Sequence, residues 1–317
     1  MSELRLADGW ATLILTAFDT INYISVPEAH REVLQACEGL CGELHALLSP
    51  TDETSDTAAL SRGSGIVPVR PETLELLRTA LSVGDRTGGC FDVTVGASTR
   101  LWQVKQRTCP PQADEVRRAG ACRGRLILHE DTCSVELERE TVPDIGGIGK
   151  GYIADRLAEL LKDSGVSDAL IDLGGNVLAL GTRNGRPWRI GIHDPTRDRS
   201  ACFAAVDARD VSVVTSSASE RYFEHDGVRY HHIMDPQSGA PAESGLISAT
   251  VVCPNSTLAD ALSTACYVGG MERARSFLAE YRAEGAEGVL LAGDGTLFIS
   301  AGLAKSEHIH ILYGGTL

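Results

Sequence analysis

The 317-residue sequence is short of positive charge, with 29 lysines and arginines against 43 aspartates and glutamates and a formal net charge of −14. A surface that acidic repels phosphate backbones, so sequence-independent nucleic-acid binding is not expected. No apolar run is long enough to span a bilayer, so no membrane segment is expected either. The opening stretch "MSELRLADGWATLILTAFDT" has no basic n-region, no long apolar core and no cleavage site, which predicts a cytoplasmic protein. No two of the nine cysteines stand at CxxC spacing, and their number is odd. Cys37 and Cys41 share a helical stripe with Val33, Leu34, Leu40, Leu44 and Leu48, which fits buried thiols in a reducing compartment better than metal ligands. There is no internal repeat and no linker, so a single domain over residues 1–317 is expected.

Periodicity supplies the elements. Residues 11–26 read as one strand, 28–48 as a helix, and 50–66 as a polar surface loop. A helix starts at Pro71 with Leu74, Leu77 and Leu81 on its apolar side. Residues 103–121 read as irregular, and 126–137 as a hairpin turning at Glu130-Asp131. A helix follows with Ile153, Leu157, Leu160 and Leu161 inward. Strands are expected at 168–176, 188–192, 204–214 and 246–253, and a hairpin at Asp226-Gly227. Helices are expected from an N-cap at Ser256 or Thr257, and again over 271–283. A last hairpin spans 288–300 around Gly293-Asp294-Gly295. Tight hairpins between many of the strands favour an α+β fold with a mostly antiparallel sheet and packed helices.

Three segments carry candidate chemistry. In "DIGGIGKGYIADRL", Gly146, Gly147, Gly149 and Gly151 surround Lys150 at the start of a helix. Glycine allows close backbone approach, the helix N-terminus presents N–H groups and a positive dipole end, and the lysine adds a full charge. The combination suits a phosphate or pyrophosphate, yet the spacing fits neither the Walker A pattern nor the dinucleotide fingerprint. The plain alternative is a helix-start turn with a solvated lysine. In "ADALSTA", Asp260 and Thr264 lie four apart on one helical face with Ser263 beside them. Such hard oxygens suit Mg²⁺, although a polar helix stripe can carry them without a metal. In "YHHIMDPQSGAP", His231 and His232 alternate, so only one of them faces a given site; His232 is the candidate to donate to a phosphate or touch a ring.

In chain order, "GGCFDVTVG", "DIGGIGKGYIADRL", "IDLGGNVLALG", "YHHIMDPQSGAP" and "ADALSTA" resemble the ApbE-like FAD:protein FMN transferases, over roughly Ala17 to Ser300. The resemblance implies a single ApbE-like α+β domain. It also implies an enzyme that uses Mg²⁺, with Mn²⁺ as the alternative, to move the FMN half of FAD onto a Thr or Ser hydroxyl of a target flavoprotein, releasing AMP. Carried over residue by residue, Asp144 and Lys150 contact FAD. Gly147 offers a backbone carbonyl to the metal, and Asp260, Thr264 and Ser263 complete its shell. Phe18, Phe91, Asp92, Val93, His232 and Ile233 line the flavin site. Asp260 is the candidate base and Lys150 the candidate charge stabiliser. Two departures stand out: Phe18-Asp19 occupies the family's usual Met-Gly, and Ser217 the place of a common Gly. No copy of the family's acceptor motif occurs, so self-modification is not expected. A metal-dependent FAD pyrophosphatase and a non-catalytic FAD-binding protein stay open as alternatives.

Overall fold

The computed structural model describes residues 2–138, 140–198 and 201–312. Along the chain come β1 (Ser2–Ala7), β2 (Trp10–Ala17), β3 (Thr20–Pro27), α1 (Val33–Leu48), α2 (Asp56–Arg62), β4 (Gly65–Pro68) and α3 (Pro71–Arg86). Next are α4 (Gly96–Trp102), α5 (Ala113–Ala121), β5 (Leu126–His129), β6 (Ser134–Leu137), α6 (Gly149–Asp163), β7 (Ala169–Leu173), β8 (Asn176–Leu180) and β9 (Trp188–His193). The chain continues with β10 (Cys202–Ala208), β11 (Val211–Ser217), β12 (Tyr222–His225), β13 (Val228–His231), β14 (Leu246–Cys253) and α7 (Ser256–Glu280). It closes with β15 (Glu287–Ala292), β16 (Leu297–Ile299), α8 (Ala301–Ala304) and β17 (Ile309–Ile311).

Nine strands form one antiparallel sheet in the order β1-β2-β3-β7-β8-β11-β14-β15-β16. Its two faces are covered differently. Val214, Val251 and Leu290 point to a core shared with α1, α3, α6 and α7. Their sequence neighbours Val213, Val252, Val289 and Leu291 point the other way, into a second core roofed by the small sheet β17-β10-β9. This period-2 alternation with both faces covered explains why β14 is buried along nearly its whole length. The α+β, mostly antiparallel expectation therefore holds, in three layers. Among the described residues, no helix is long and apolar enough to cross a membrane.

Several expected elements change. Residues 11–26 are not one strand but the β2–β3 hairpin, turned by Phe18 and Asp19, both with positive φ. Alternation continues across so short a turn, which hides it. The polar stretch 50–66 contains α2, whose N-cap Ser55 accepts from the Ala58 N–H at 2.9 Å. Asp56 is buried there because Arg70 N–H and the Thr73 hydroxyl, at 2.6 and 2.7 Å, satisfy it. The "irregular" 103–121 holds α5, started by a Gln112–Glu115 capping box. The 204–214 strand is two, β10 and β11, split at Asp210 and placed in different sheets. The N-cap of α7 is Asn255, one residue earlier than expected. The helix over 28–48 begins as a short 3₁₀ turn, and α1 proper starts at Val33. The expected break between the two last helices is a left-handed Gly270 (φ 72°) inside α7. Cys37 and Cys41 are packed in the core, on the predicted stripe.

Candidate active site

The glycine segment folds against the FDV segment. Val93 C=O accepts from Asp144 N–H at 2.7 Å, and Val142 C=O accepts from Gly96 N–H at 2.9 Å. Asp144 Oδ1 then accepts from Gly146 N–H at 2.8 Å, which fixes the turn leading to α6. At Gly147 a Cβ would stand 3.2 Å from both Phe91 Cε2 and Thr264 Oγ1. The structure thus brings Phe91, Gly147 and Thr264 together from three separate segments.

The helices α6 and α7 cross at Gly151. A Cβ there would reach 2.8 Å from Thr257 Cα and overlap the Ser256 carbonyl, so only glycine permits this approach. The close crossing lets Gly151 N–H donate to Asp260 Oδ2 at 2.9 Å. Lys150 Nζ lies 3.5 Å from Asp260 Oδ1. Asp260 is 3% exposed, and a carboxylate so buried needs both partners. One turn further on, Asp155 closes the crossing from the other side. Its carboxylate accepts from Ser256 N–H and Thr257 N–H, each at 2.8 Å, and from the Thr257 hydroxyl at 2.6 Å. Burial nonetheless raises the Asp155 pKa against these hydrogen bonds.

Hydroxyls complete the cluster. Ser263 Oγ donates to the Asp260 carbonyl and lies 2.9 Å from Ser216 Oγ, which is also 3.3 Å from Thr264 Oγ1. Ser263 is wholly buried and occupied within this chain of contacts, whereas Thr264 is partly accessible. Among the described residues, no three His, Cys, Asp or Glu side chains converge. A cation here would rely on one carboxylate, hydroxyl and carbonyl oxygens, and a ligand's own phosphates.

Beside the cluster opens a cleft of about 640 Å³, lined among others by Lys105, His193, Glu220, Arg221 and Arg229. Glu220 reaches solvent at its rim, yet protein atoms crowd it and desolvation raises its pKa, with Lys150 and Arg221 pulling it back. Asp260 and His193 also act on it, which ties the rim to the buried cluster. The Phe18-Asp19 turn borders this region: Asp19 pairs with Lys105 at 3.2 Å, and Phe18 packs edge-on against His45. Next to that turn, a Cβ on Gly174 would stand 2.6 Å from Thr20 Cγ2, and one on Gly175 3.8 Å from Glu220 Oε1.

The remaining expected site residues have other duties. Asp92 Oδ1 accepts from the Thr94 N–H and hydroxyl, both at 2.7 Å, and its Oδ2 lies 3.4 Å from Arg123. Val93 and Ile233 are core residues. His231 bonds the Ala242 carbonyl through Nε2 at 3.0 Å. His232 Nδ1 lies 3.2 Å from the Arg221 carbonyl, which can only accept, so Nδ1 carries the proton. Burial, then Arg221, pushes the His232 pKa down to about 3. At neutral pH its Nε2 is therefore a lone pair, able to accept from a ligand but not to donate to a phosphate as expected. Asp155, Ser216, Glu220 and Arg221 were not singled out by sequence. Their partners lie far along the chain, and only the family-pattern departure at Ser217 pointed near them.

The chain is similar to known proteins over most of its length. The ApbE family pattern matches residues 8–290. An FAD:protein FMN transferase of Treponema pallidum is 36% identical over 283 residues, covering 83% of this chain and 78% of the relative. One from Escherichia coli K12 is 32% identical over 240 residues, covering 73% and 68%. The ApbE protein of Thermotoga maritima superposes with a TM-score of 0.85 at 30% identity, over 93% of this chain and 98% of that one. The flavin transferase ApbE of Vibrio cholerae, at 24% identity and TM-score 0.82 over 96% and 99%, shares the fold.

Proposed function

The chain belongs to the ApbE family, and from that premise we infer that it is an FAD:protein FMN transferase, moving FMN from FAD to a target flavoprotein. The observation that carries the chemical reading is the α6–α7 crossing. It sets Lys150, Asp260, Thr264 and the Gly147 backbone at one helix N-terminus. We propose that this is where the FAD pyrophosphate is held, with Phe18, Phe91, Asp92, Val93, Asp144, His232 and Ile233 forming or supporting the flavin side.

Mg²⁺, or Mn²⁺ in its place, fits the donor set by its chemistry. Asp260 gives a carboxylate, Thr264 a hydroxyl and Gly147 a carbonyl, and Mg²⁺ is commonly held by one or two carboxylates plus phosphate oxygens. When bound, the ion supplies charge neutralisation at the pyrophosphate. The chain's own residues do the rest. The N-terminus of α6 and Lys150 attract the phosphates and stabilise the negative charge that develops on departing AMP. Gly151 N–H fixes the Asp260 carboxylate, and the Ser216–Ser263 contact holds the neighbouring turn of α7. Asp260, committed to these partners, is poorly suited to be the base proposed from the sequence. Glu220 is better placed: it stands at the open cleft, and its raised pKa makes it a stronger proton acceptor for an incoming Thr or Ser hydroxyl. A cytoplasmic location is part of the same proposal. All nine cysteines are free thiols, and burial pushes Cys37 up to about 11 and Cys41 up to about 12.

The test is AMP release from FAD with Mg²⁺, with and without a candidate flavoprotein domain, in wild type and Asp260→Ala, with in-gel flavin fluorescence following the acceptor. Acceptor-dependent AMP and a fluorescent band, both lost in the variant, support the transferase. AMP without any labelled acceptor indicates water as the acceptor. FAD binding without metal-dependent AMP sinks the catalytic reading.

A further inference from the structure

The free edge of the nine-stranded sheet carries a pattern complementary to itself. Among the described residues β1 pairs with β2 on one side only, and all six of its residues are exposed. The adjoining turns tell where its backbone groups point. Asp8-Gly9 and Phe18-Asp19 are two-residue turns with positive φ at both positions, so Ala7↔Trp10 and Ala17↔Thr20 close as hydrogen-bonded pairs. Bonded pairs alternate along an antiparallel ladder. Glu3, Arg5 and Ala7 therefore turn their amides and carbonyls to β2, while Ser2, Leu4 and Leu6 turn theirs to the open edge. Side chains alternate across the sheet plane. Glu3 and Arg5 share one face, 3.6 Å apart, and Leu4 and Leu6 share the other at 52% and 49% exposure.

We propose that two copies of this chain pair β1 against β1, antiparallel, about a two-fold axis at Leu4, making one sheet continuous across a dimer. In that register Leu4 meets Leu4 of the second copy, and Ser2 meets Leu6, so each outward amide finds an outward carbonyl. On the opposite face Glu3 stands against Arg5 of the second copy, and Arg5 against its Glu3. The neighbouring registers are disfavoured: a shift of two residues sets Glu3 against Glu3 or Arg5 against Arg5, and like charges directly opposite destabilise a strand pair. Charged residues on an edge strand ordinarily block pairing. Here the two charges are of opposite sign, and they oppose the two neighbouring registers, centred on Glu3 and on Arg5, while favouring the one centred on Leu4. At the far edge of the sheet, β16 is only three residues long and offers much less backbone. The two-fold axis reverses strand direction, so the two Phe18-Asp19 ends and their clefts point apart and each subunit keeps a whole site.

Sedimentation velocity over loading concentrations from roughly 1 to 100 μM suits a small strand-edge interface. Wild type is expected to shift from monomer to dimer across that range. Arg5→Glu sets glutamate against Glu3 of the second copy twice, and weakens the dimer about tenfold or more. The double variant Glu3→Arg/Arg5→Glu restores opposite charges and the dimer with them. Leu4→Pro removes an outward amide that β2 does not use, and abolishes it. AMP release and melting temperature measured on the same samples are expected to stay near wild type, which separates a lost interface from a lost fold or a wrong site. Three results would overturn the proposal: a wild-type chain monomeric throughout, a dimer that survives Leu4→Pro, or a double variant no better than Arg5→Glu.

Discussion

The two faces of the large sheet solve different problems. The face under the small sheet is a mostly apolar core, where Trp10 and Trp188 meet edge to face at 5.0 Å and the buried polar side chains include the small hydroxyls of Ser248 and Thr250. The helix face buries Asp260, Ser263, Ser256 and Asn176 in its depths, around one glycine-permitted crossing. Burying polar groups costs free energy unless each is satisfied. For the buried carboxylates of the helix face that cost is met by contacts between residues about a hundred positions apart, such as Gly151 N–H on Asp260 and Asp155 on the start of α7. Disturbance of the helix face is therefore expected to cost both stability and activity, and disturbance of the small-sheet core stability alone.

The sharpest break in that comparison is Gly151→Ala. Its methyl group meets the backbone of Ser256 and Thr257, which cannot rotate away. Overpacking of this kind costs about 1–3 kcal/mol, and it pulls Asp260 off its N–H donor. Calorimetry should show a lowered Tm, and AMP release should fall close to background. A melting curve that matches wild type would mean the crossing is looser than the structure shows. Asp260→Ala removes the one carboxylate of the cluster, and turnover should fall about 10²–10³-fold, the scale of losing a preorganised charge stabiliser. Asp155→Ala leaves two amides and a hydroxyl at the α7 N-terminus without partners. Loss of such a cap costs about 1 kcal/mol in chemical denaturation, with Asp260 and Lys150 left in place.

A pH profile sharpens the comparison at the rim. The Glu220 pKa lies above its ordinary 4.5, so a base of that kind works only as pH rises through the raised value. FMN transfer, read as AMP release, should gain activity on an acid limb inflecting above pH 4.5, and Glu220→Gln should flatten that limb while FAD binding is kept. An unchanged limb in the variant would move the base elsewhere. The smallest effect belongs to the small sheet. The Arg189 hydrogen bond, with His310, holds Asp207 at about 2 rather than 3.8. A depressed acid contributes stability above its unfolded pKa and loses it as pH falls from 3.8 towards 2. Because Arg189 is largely exposed, Asp207→Asn should change neutral-pH stability by less than ~1 kcal/mol, and leave turnover alone.

Much of the fold was legible because it is periodic. The α6 pattern and the Cys37–Cys41 stripe follow from burial on one helix face, β14 from burial on both sheet faces, and the Asp226-Gly227 turn from two residues that accept positive φ, all local properties of the chain. Elements held by side-chain caps escaped notice. α2 and α5 are short, polar and started by Ser55 and by the Gln112–Glu115 pair, so their composition resembles a loop. The β2–β3 turn escaped because alternation runs through Phe18-Asp19 unbroken.

The sequence by itself determined which residues have the right chemistry: glycines beside a lysine before a helix, and an aspartate four residues before a threonine. Their order along the chain carried the family resemblance. Only the tertiary structure decided which of them meet. Gly151 touches α7 and Asp260 is held by its N–H, while Asp92 is spent on a local turn and His232 offers a lone pair instead of a proton. Glu220 and Ser216 join the site through contacts with no trace in local pattern. The physical reason is range: helix and strand periodicity act over a few residues, whereas the donors that make a buried carboxylate tolerable come from wherever the chain returns.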